Sequence, residues 1–174
     1  MGATSQVLQT DRLALSHLTY ADAEFIVGLL NSPGFLRYIG DKGVRDANDA
    51  RSYLDEGPLH SYATHGFGLF RTALRGDNAP IGICGLLQRD FLDDPDVGFA
   101  LLPEYAGCGY ASEAAAAVLD WGKATFGLQR IVGIVDPGND RSIALLKKLG
   151  MHFERKLRIE GDDHETSLYA IDYR

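Results

Sequence analysis

The stretch Pro103-Glu-Tyr-Ala-Gly-Cys-Gly-Tyr-Ala-Ser-Glu113 links an apolar strand, Val97 to Leu102, to an alanine-rich helix that begins near Tyr110. Proline ends the strand, glycines punctuate the loop, and small residues open the helix. The first turn of a helix has N–H groups without intrahelical partners and carries the positive end of the helix dipole. A strand–glycine loop–helix layout therefore aims several donors at one point, and a pyrophosphate fits there. The stretch predicts a phosphorylated cofactor. It is a poor dinucleotide fingerprint: Ser112 stands at the third glycine position, no βαβ unit opens the chain, and no acidic residue ends a strand about 20 residues later. It is not a P-loop, because no Gly-Lys-Ser/Thr follows. The plain alternative is that Ser112 and Glu113 cap a structural helix.

Outward from this loop the pattern alternates between sheet and helix. Asp11 to Leu18 alternates as a first strand. Thr19 or Tyr20 opens a helix with Phe25, Ile26, Leu29 and Leu30 on its apolar face, and Asn31-Ser-Pro-Gly34 stops it. Asp46 is an N-cap for a weaker helix reaching Leu59. Phe67 to Leu74 and Pro80 to Leu87 are strands around the turn Arg75-Gly-Asp-Asn78, and Asp96 to Leu102 is the next. The long helix runs from about Ala111 to Phe126, with Ala111, Ala115, Val118, Leu119, Gly122 and Phe126 on one stripe. Arg130 to Val135 is a buried strand, Asp136-Pro-Gly-Asn-Asp140 leads into a helix from Arg141 to Leu149, and Gly150 ends it. Phe153 to Ile159 and Thr166 to Asp172 close the chain as a hairpin. The order β-α-α-β-β-β-α-β-α-β-β predicts a mixed α+β sheet in one domain over residues 1–174.

Composition narrows the partners. Lys and Arg total 17 against 24 Asp and Glu, a net charge of −7. That balance argues against a nucleic-acid backbone as main partner and is compatible with a cationic amine, although it also simply promotes solubility. The longest apolar runs fall far short of a membrane span, and Met1-Gly2 opens neither a secretory leader nor a myristoylation pattern. Cys84 and Cys108 have no CxxC neighbour and the five histidines are scattered. A reduced, cytoplasmic, metal-free protein is the simplest expectation.

Gly107-Cys-Gly-Tyr-Ala-Ser-Glu-Ala114 resembles the cofactor loop of the GNAT acyltransferases, with Ala106 where that motif usually has Gln or Arg. Asp136-Pro-Gly-Asn-Asp-Arg-Ser-Ile-Ala-Leu-Leu-Lys-Lys-Leu-Gly150 resembles the second cofactor segment of that family. Thr10-Asp-Arg-Leu13 and Pro80-Ile-Gly-Ile-Cys-Gly85 look like its opening and central strands. The resemblance runs from about Thr10 to Tyr173 and is closest to the branch that includes ribosomal-protein N-terminal acetyltransferases. It implies a twisted, mostly antiparallel sheet of about seven strands with one splayed pair, flanked by about four helices. It also implies an acetyl-CoA-dependent N-acetyltransferase that acts by direct transfer to a primary amine, on a protein N-terminus or a small molecule, without a metal.

What the resemblance implies for residues is specific. The pyrophosphate would lie on backbone N–H groups of Gly107, Cys108, Gly109, Tyr110, Ala111 and Ser112. The pantetheine arm would pair with the splayed strand at Phe99 to Leu102, and an N–H near Leu101 would face the thioester carbonyl. Asn139 matches a cofactor-contacting asparagine, its plain alternative being a helix N-cap. Ser142 matches a serine near the cofactor sulfur, its alternative being structural. Many family members place a tyrosine acid where this chain has Leu146, so Ser142 or water would protonate the thiolate. A free thiol has a pKa of about 8.5, so unassisted departure is also tolerable. For the base, Asp96 is the first candidate, followed by Glu165 and His164; Tyr169 is a cleft or core residue. Cys108 is rejected as a nucleophile, lacking a histidine partner, and Cys84 reads as a small core residue. The acidic loops Asp90 to Asp96 and Glu160 to Glu165 would flank an acceptor cleft or be solvated turns. The final strands would carry a homodimer contact if one forms. Two alternatives stay open: a non-catalytic acyl-CoA-binding module, and a nucleotide-binding domain of Rossmann type.

Overall fold

Eight strands form one sheet in the computed structural model, which describes residues 5–173. Met1 and Gly2 lie outside those residues. The strands are β1 (Gln6–Gln9), β2 (Leu13–Ser16), β3 (Leu69–Leu74), β4 (Pro80–Leu87), β5 (Asp96–Leu101), β6 (Arg130–Val135), β7 (His152–Arg158) and β8 (Glu165–Asp172). Their order is β1-β2-β3-β4-β5-β6-β8-β7. Every neighbouring pair is antiparallel except β5 with β6. The helices are α1 (Ala23–Leu30), α2 (Pro33–Tyr38), α3 (Ala47–Leu54), α4 (His60–His65), α5 (Tyr110–Phe126) and α6 (Asp140–Lys148).

Three local departures from the sequence pattern have physical causes. The expected single first strand is a hairpin: Thr10 N donates to Leu13 O across a tight turn, and the short β1, with Val7 and Leu8 partly buried against the core, pairs with β2. That makes eight strands rather than about seven. Pro33 does not end the helical region; it sits in the first turn of α2, where its missing N–H costs nothing. Asp46 does cap α3, accepting from Asp49 N at 2.9 Å. The helix then continues past Leu59 through a π turn, Asp55–Leu59, that contains Pro58. Proline cannot supply the usual i→i−4 donor, so the ladder widens there and resumes in α4. Gly66, with φ 79°, ends it.

The sheet has a core on each face. The expected small-residue stripe packs α5 against β4 and β5. Ala114, Ala115, Val118, Leu119 and Gly122 are buried, whereas Ala111 is half-buried and Phe126, at the helix end, is partly exposed and edge-on to Phe67 and Trp121. A Cβ on Gly122 would stand 2.8 Å from Leu86 Cδ1, so any larger residue would push the buried Leu86 side chain aside at this close approach. On the other face, α1 and α3 pack Ile26, Leu29, Ala50 and Leu54 over Ile83.

One wall of the later cleft depends on Arg130 at the start of β6. Its guanidinium reaches Asp94 at 3.0 Å, Glu154 at 2.6 Å and Asp172 at 3.2 Å. It thus ties β6 to β7, β8 and the loop before β5. Because the group is 28% exposed, water screens part of this. Arg130→Gln is expected to cost about 1–2 kcal/mol, a fall in melting temperature of roughly 2–8 °C. Thermal unfolding by circular dichroism checks it.

Candidate active site

The two parallel strands part almost as soon as they meet. Asp96↔Val132 is the one paired position between β5 and β6 among the described residues, reinforced by Val132 N donating to Pro95 O at 3.0 Å. Beyond it the strands splay, as expected, and a cleft of about 800 Å³ opens between them. The strand edge left bare is polar. N–H direction alternates along a strand. Leu102 N donates to Ile81 O on β4, so the N–H groups of Leu101 and Phe99 point the other way, into the gap. Leu102 is therefore not an open backbone contact: its N–H belongs to β4, and its side chain packs with the α1–α3 core.

At the open end of β5 the glycine loop takes the shape its sequence required. Gly107 and Gly109 have φ of 80° and 81°, a region that residues with a Cβ enter at a cost. Gly109 is the N-cap of α5, with no side-chain cap. The capping alternative for Ser112 and Glu113 thus fails at the N-cap itself. Among the described residues no acceptor takes the N–H of Gly107, Cys108 or Gly109, and those of Tyr110, Ala111 and Ser112 form the first turn. A doubly charged diphosphate fits such a cradle.

The loop is held from outside by residues not singled out from the sequence. Arg12 Nη1 donates to Cys108 O at 3.0 Å, turning that carbonyl away from the cradle. Arg12 Nε binds Glu113 at 2.7 Å, and its guanidinium lies 4.4 Å over the Tyr110 ring. Thr10 Oγ1 and Arg12 N donate to Glu113 at 2.5 and 2.9 Å. Partial burial opposes ionisation of Glu113, but these donors hold its pKa below the usual range. The signal was present: Thr10-Asp-Arg-Leu13 was legible as a strand start, but its side-chain partners lie about 100 residues away.

Asp96 occupies the apex of the cleft. Phe99 and Leu101 pack toward α5, while Ala100 and Leu102 pack toward α1 and α3. By alternation Asp96 shares the face of Ala100, opposite α5. It is 1% exposed, and Arg89 Nε reaches its two oxygens at 3.0 and 3.2 Å. Burial pushes its carboxyl up to about 6, although Arg89 pulls the other way. A carboxylate tuned toward neutrality in a cleft suits proton transfer. Asn139 Oδ1 caps α6 by accepting from Ser142 N at 3.2 Å, and both residues also line the cleft.

The model of the acetyltransferase (GNAT) domain matches residues 12–152. The chain belongs to the GNAT acetyltransferase family. It is 29% identical over 171 residues to the uncharacterized N-acetyltransferase YoaA of Bacillus subtilis, covering 95% of this chain and 96% of that protein. It is 24% identical over 147 residues to the spermidine N(1)-acetyltransferase of Escherichia coli, covering 84% and 76%. Among solved structures, a GNAT-family acetyltransferase from Bacillus anthracis superposes with a TM-score of 0.78 at 25% identity, covering 95% of this chain and 97% of that one.

The remaining candidates of this acetyltransferase separate clearly. Leu146 is 1% exposed and forms cleft wall against Gly133, whose added Cβ would stand 3.2 Å from it; it has no proton to give. Glu165 sits on the rim, about half exposed and 3.6 Å from Lys156, and His164 is exposed beside it. Tyr169 is a core residue, edge-on to Phe153. Cys84 is buried, and burial lifts its thiol pKa to about 12. Cys108 is exposed on the glycine loop, away from the residues that line the cleft. Among the described residues no helix is long and apolar enough to cross a membrane, and no cluster of three His, Cys, Asp or Glu is placed to hold a metal ion.

Proposed function

We propose that the chain is an acetyl-CoA-dependent N-acetyltransferase that acetylates a primary amine by direct transfer in a ternary complex. The observation that carries this is the parting of β5 and β6 beyond Asp96↔Val132, with the glycine cradle ending one strand and Asn139 and Ser142 following the other. The diphosphate would rest on the N–H groups of residues 107–112, and the pantetheine arm would pair with the open edge of β5 at Phe99 and Leu101. Acetyl-CoA supplies an activated acetyl thioester. The N–H of Leu101 or Phe99 would oppose the negative charge that develops on the acetyl oxygen. Asp96 takes a proton from the amine nitrogen as its N–C bond forms and the C–S bond breaks. The electron pair leaves with sulfur, which Ser142 Oγ or water reprotonates.

A primary α-amine, pKa about 8, loses its proton to such a base far more readily than a lysine, at about 10.4. This favours a protein N-terminus or another α-amine as acceptor. The buried Leu146, in the place of an acid, favours one second reading, a non-catalytic acyl-CoA-binding module. Release of CoA thiol, followed with a broad panel of peptides and small amines, separates the two. Turnover with any amine supports the enzyme. Tight CoA binding with no turnover across the panel supports the module.

A further inference from the structure

The cleft wall beneath α1–α4 holds two cations that its own carboxylates do not satisfy. Arg89 follows β4 and spends only its Nε on Asp96. Its Nη1 and Nη2 have no acceptor among the described residues, and the side chain, 34% exposed, lines the cleft. Lys42, on the loop between α2 and α3, lines the same wall. No carboxylate among the described residues lies within ion-pair distance of its ammonium. Lost hydration and the charge of Arg89 hold that ammonium below the usual lysine range. The same guanidinium acts on Tyr53, whose burial raises its hydroxyl pKa while Arg89 opposes the rise. Arg37, Glu56, His60 and His65 also line the cleft on this side.

A half-buried guanidinium with unused donors, beside an exposed lysine that lines the same cleft, attracts an anion, and the planar guanidinium edge matches a carboxylate with two parallel bonds. A polyamine would bring further positive charge against them. We infer that the acceptor is a small amino carboxylate, its carboxylate held by the Nη groups of Arg89 and by Lys42. This rests on the acetyltransferase reading above. One guanidinium then grips the base through Nε and the acceptor through Nη, so an α-amino group is delivered beside Asp96. On this wall the cations face the acceptor, while Asp136, Asp162 and Glu165 line the cleft from the opposite side, where the acidic loop Glu160 to Glu165 flanks it.

The test compares the common amino acids, their carboxamides and spermidine as acceptors at saturating acetyl-CoA, in wild type and Lys42→Met. Expected is turnover of at least one amino acid with kcat/KM about 10- to 100-fold above its carboxamide, the worth of a lost charge-assisted bond. Lys42→Met should raise the KM for that amino acid about 10-fold or more, leave the KM for acetyl-CoA unmoved, and shrink the preference over the carboxamide. Spermidine or a carboxamide as the better acceptor overturns the inference, as does an equal effect of Lys42→Met on both. If none of these acceptors turns over while a peptide of the broader panel does, the inference is overturned; if nothing in either panel turns over, the acetyltransferase reading fails, and the wall is tested by binding alone. A rise in melting temperature with N-acetyl amino acids in wild type, absent in Lys42→Met, sustains the anion site; no rise in either protein overturns it.

Discussion

Gly109→Val is expected to weaken CoA binding by at least about 30-fold while leaving the fold intact. The residue has φ 81°, where a β-branched side chain is strained by roughly 1–3 kcal/mol. The new Cβ would also stand 3.3 Å from Arg12 Nη2, so the guanidinium must give by a few tenths of an ångström. Arg12 holds the Cys108 carbonyl and lies over the Tyr110 ring, so that shift loosens its hold on the loop. Relief of the strain means rotating the peptide units whose N–H groups face the diphosphate, so both costs fall on binding. The loop is exposed and contributes little to either core, so thermal unfolding should shift by only a few degrees. Titration calorimetry with CoA reads the effect. Gly107→Ala provides the contrast: φ is 80°, but nothing lies within 4 Å of its Cβ, so only the backbone cost applies. Unchanged CoA affinity in Gly109→Val would remove the cradle from the site.

Local signals in the sequence reached different depths of this site. The glycine loop was legible because positive φ leaves a compositional mark, and α5 was legible because its buried stripe repeats at the helical period. Asp96 was legible as a position but not as a chemistry: its burial and its bond to Arg89 arise from the loop between β4 and β5 folding back, which no periodicity encodes. The Arg12–Glu113 brace joins segments about 100 residues apart, and Arg89 and Lys42 come to one wall of the cleft from two separate loops. Loops carry little pattern, so their convergence appears only in three dimensions. The extra helix α2 was hidden for an opposite reason. Pro33-Gly34 is a strong stop signal, yet proline is equally a first-turn residue, and only packing of Phe35 into the α1–α3 core decides between the two.

Asp96→Asn separates catalysis from architecture at the cleft apex. A general base contributes typically 10²–10⁴-fold, so kcat is expected to fall by about 10²-fold or more. In wild type, activity should rise with pH through an apparent pKa near the Asp96 value of about 6, since the carboxyl must be ionised to accept the proton. In Asp96→Asn that acid limb should disappear, leaving a low and flatter profile. Stability gives an independent readout with a definite sign. The folded pKa lies above the ordinary 3.8, so between pH 3.8 and about 6 the folded chain holds a proton that the unfolded chain has lost. Stability from this group is therefore greatest at low pH and falls as pH rises through that window. Asparagine does not titrate, so the stability of Asp96→Asn relative to wild type should improve from pH 4 to pH 7, by on the order of 2 kcal/mol. A variant that keeps the limb near pH 6 would move the base elsewhere, to Glu165 or His164 on the rim. A variant with full activity and the predicted stability shift would leave Asp96 a buried partner of Arg89 and nothing more.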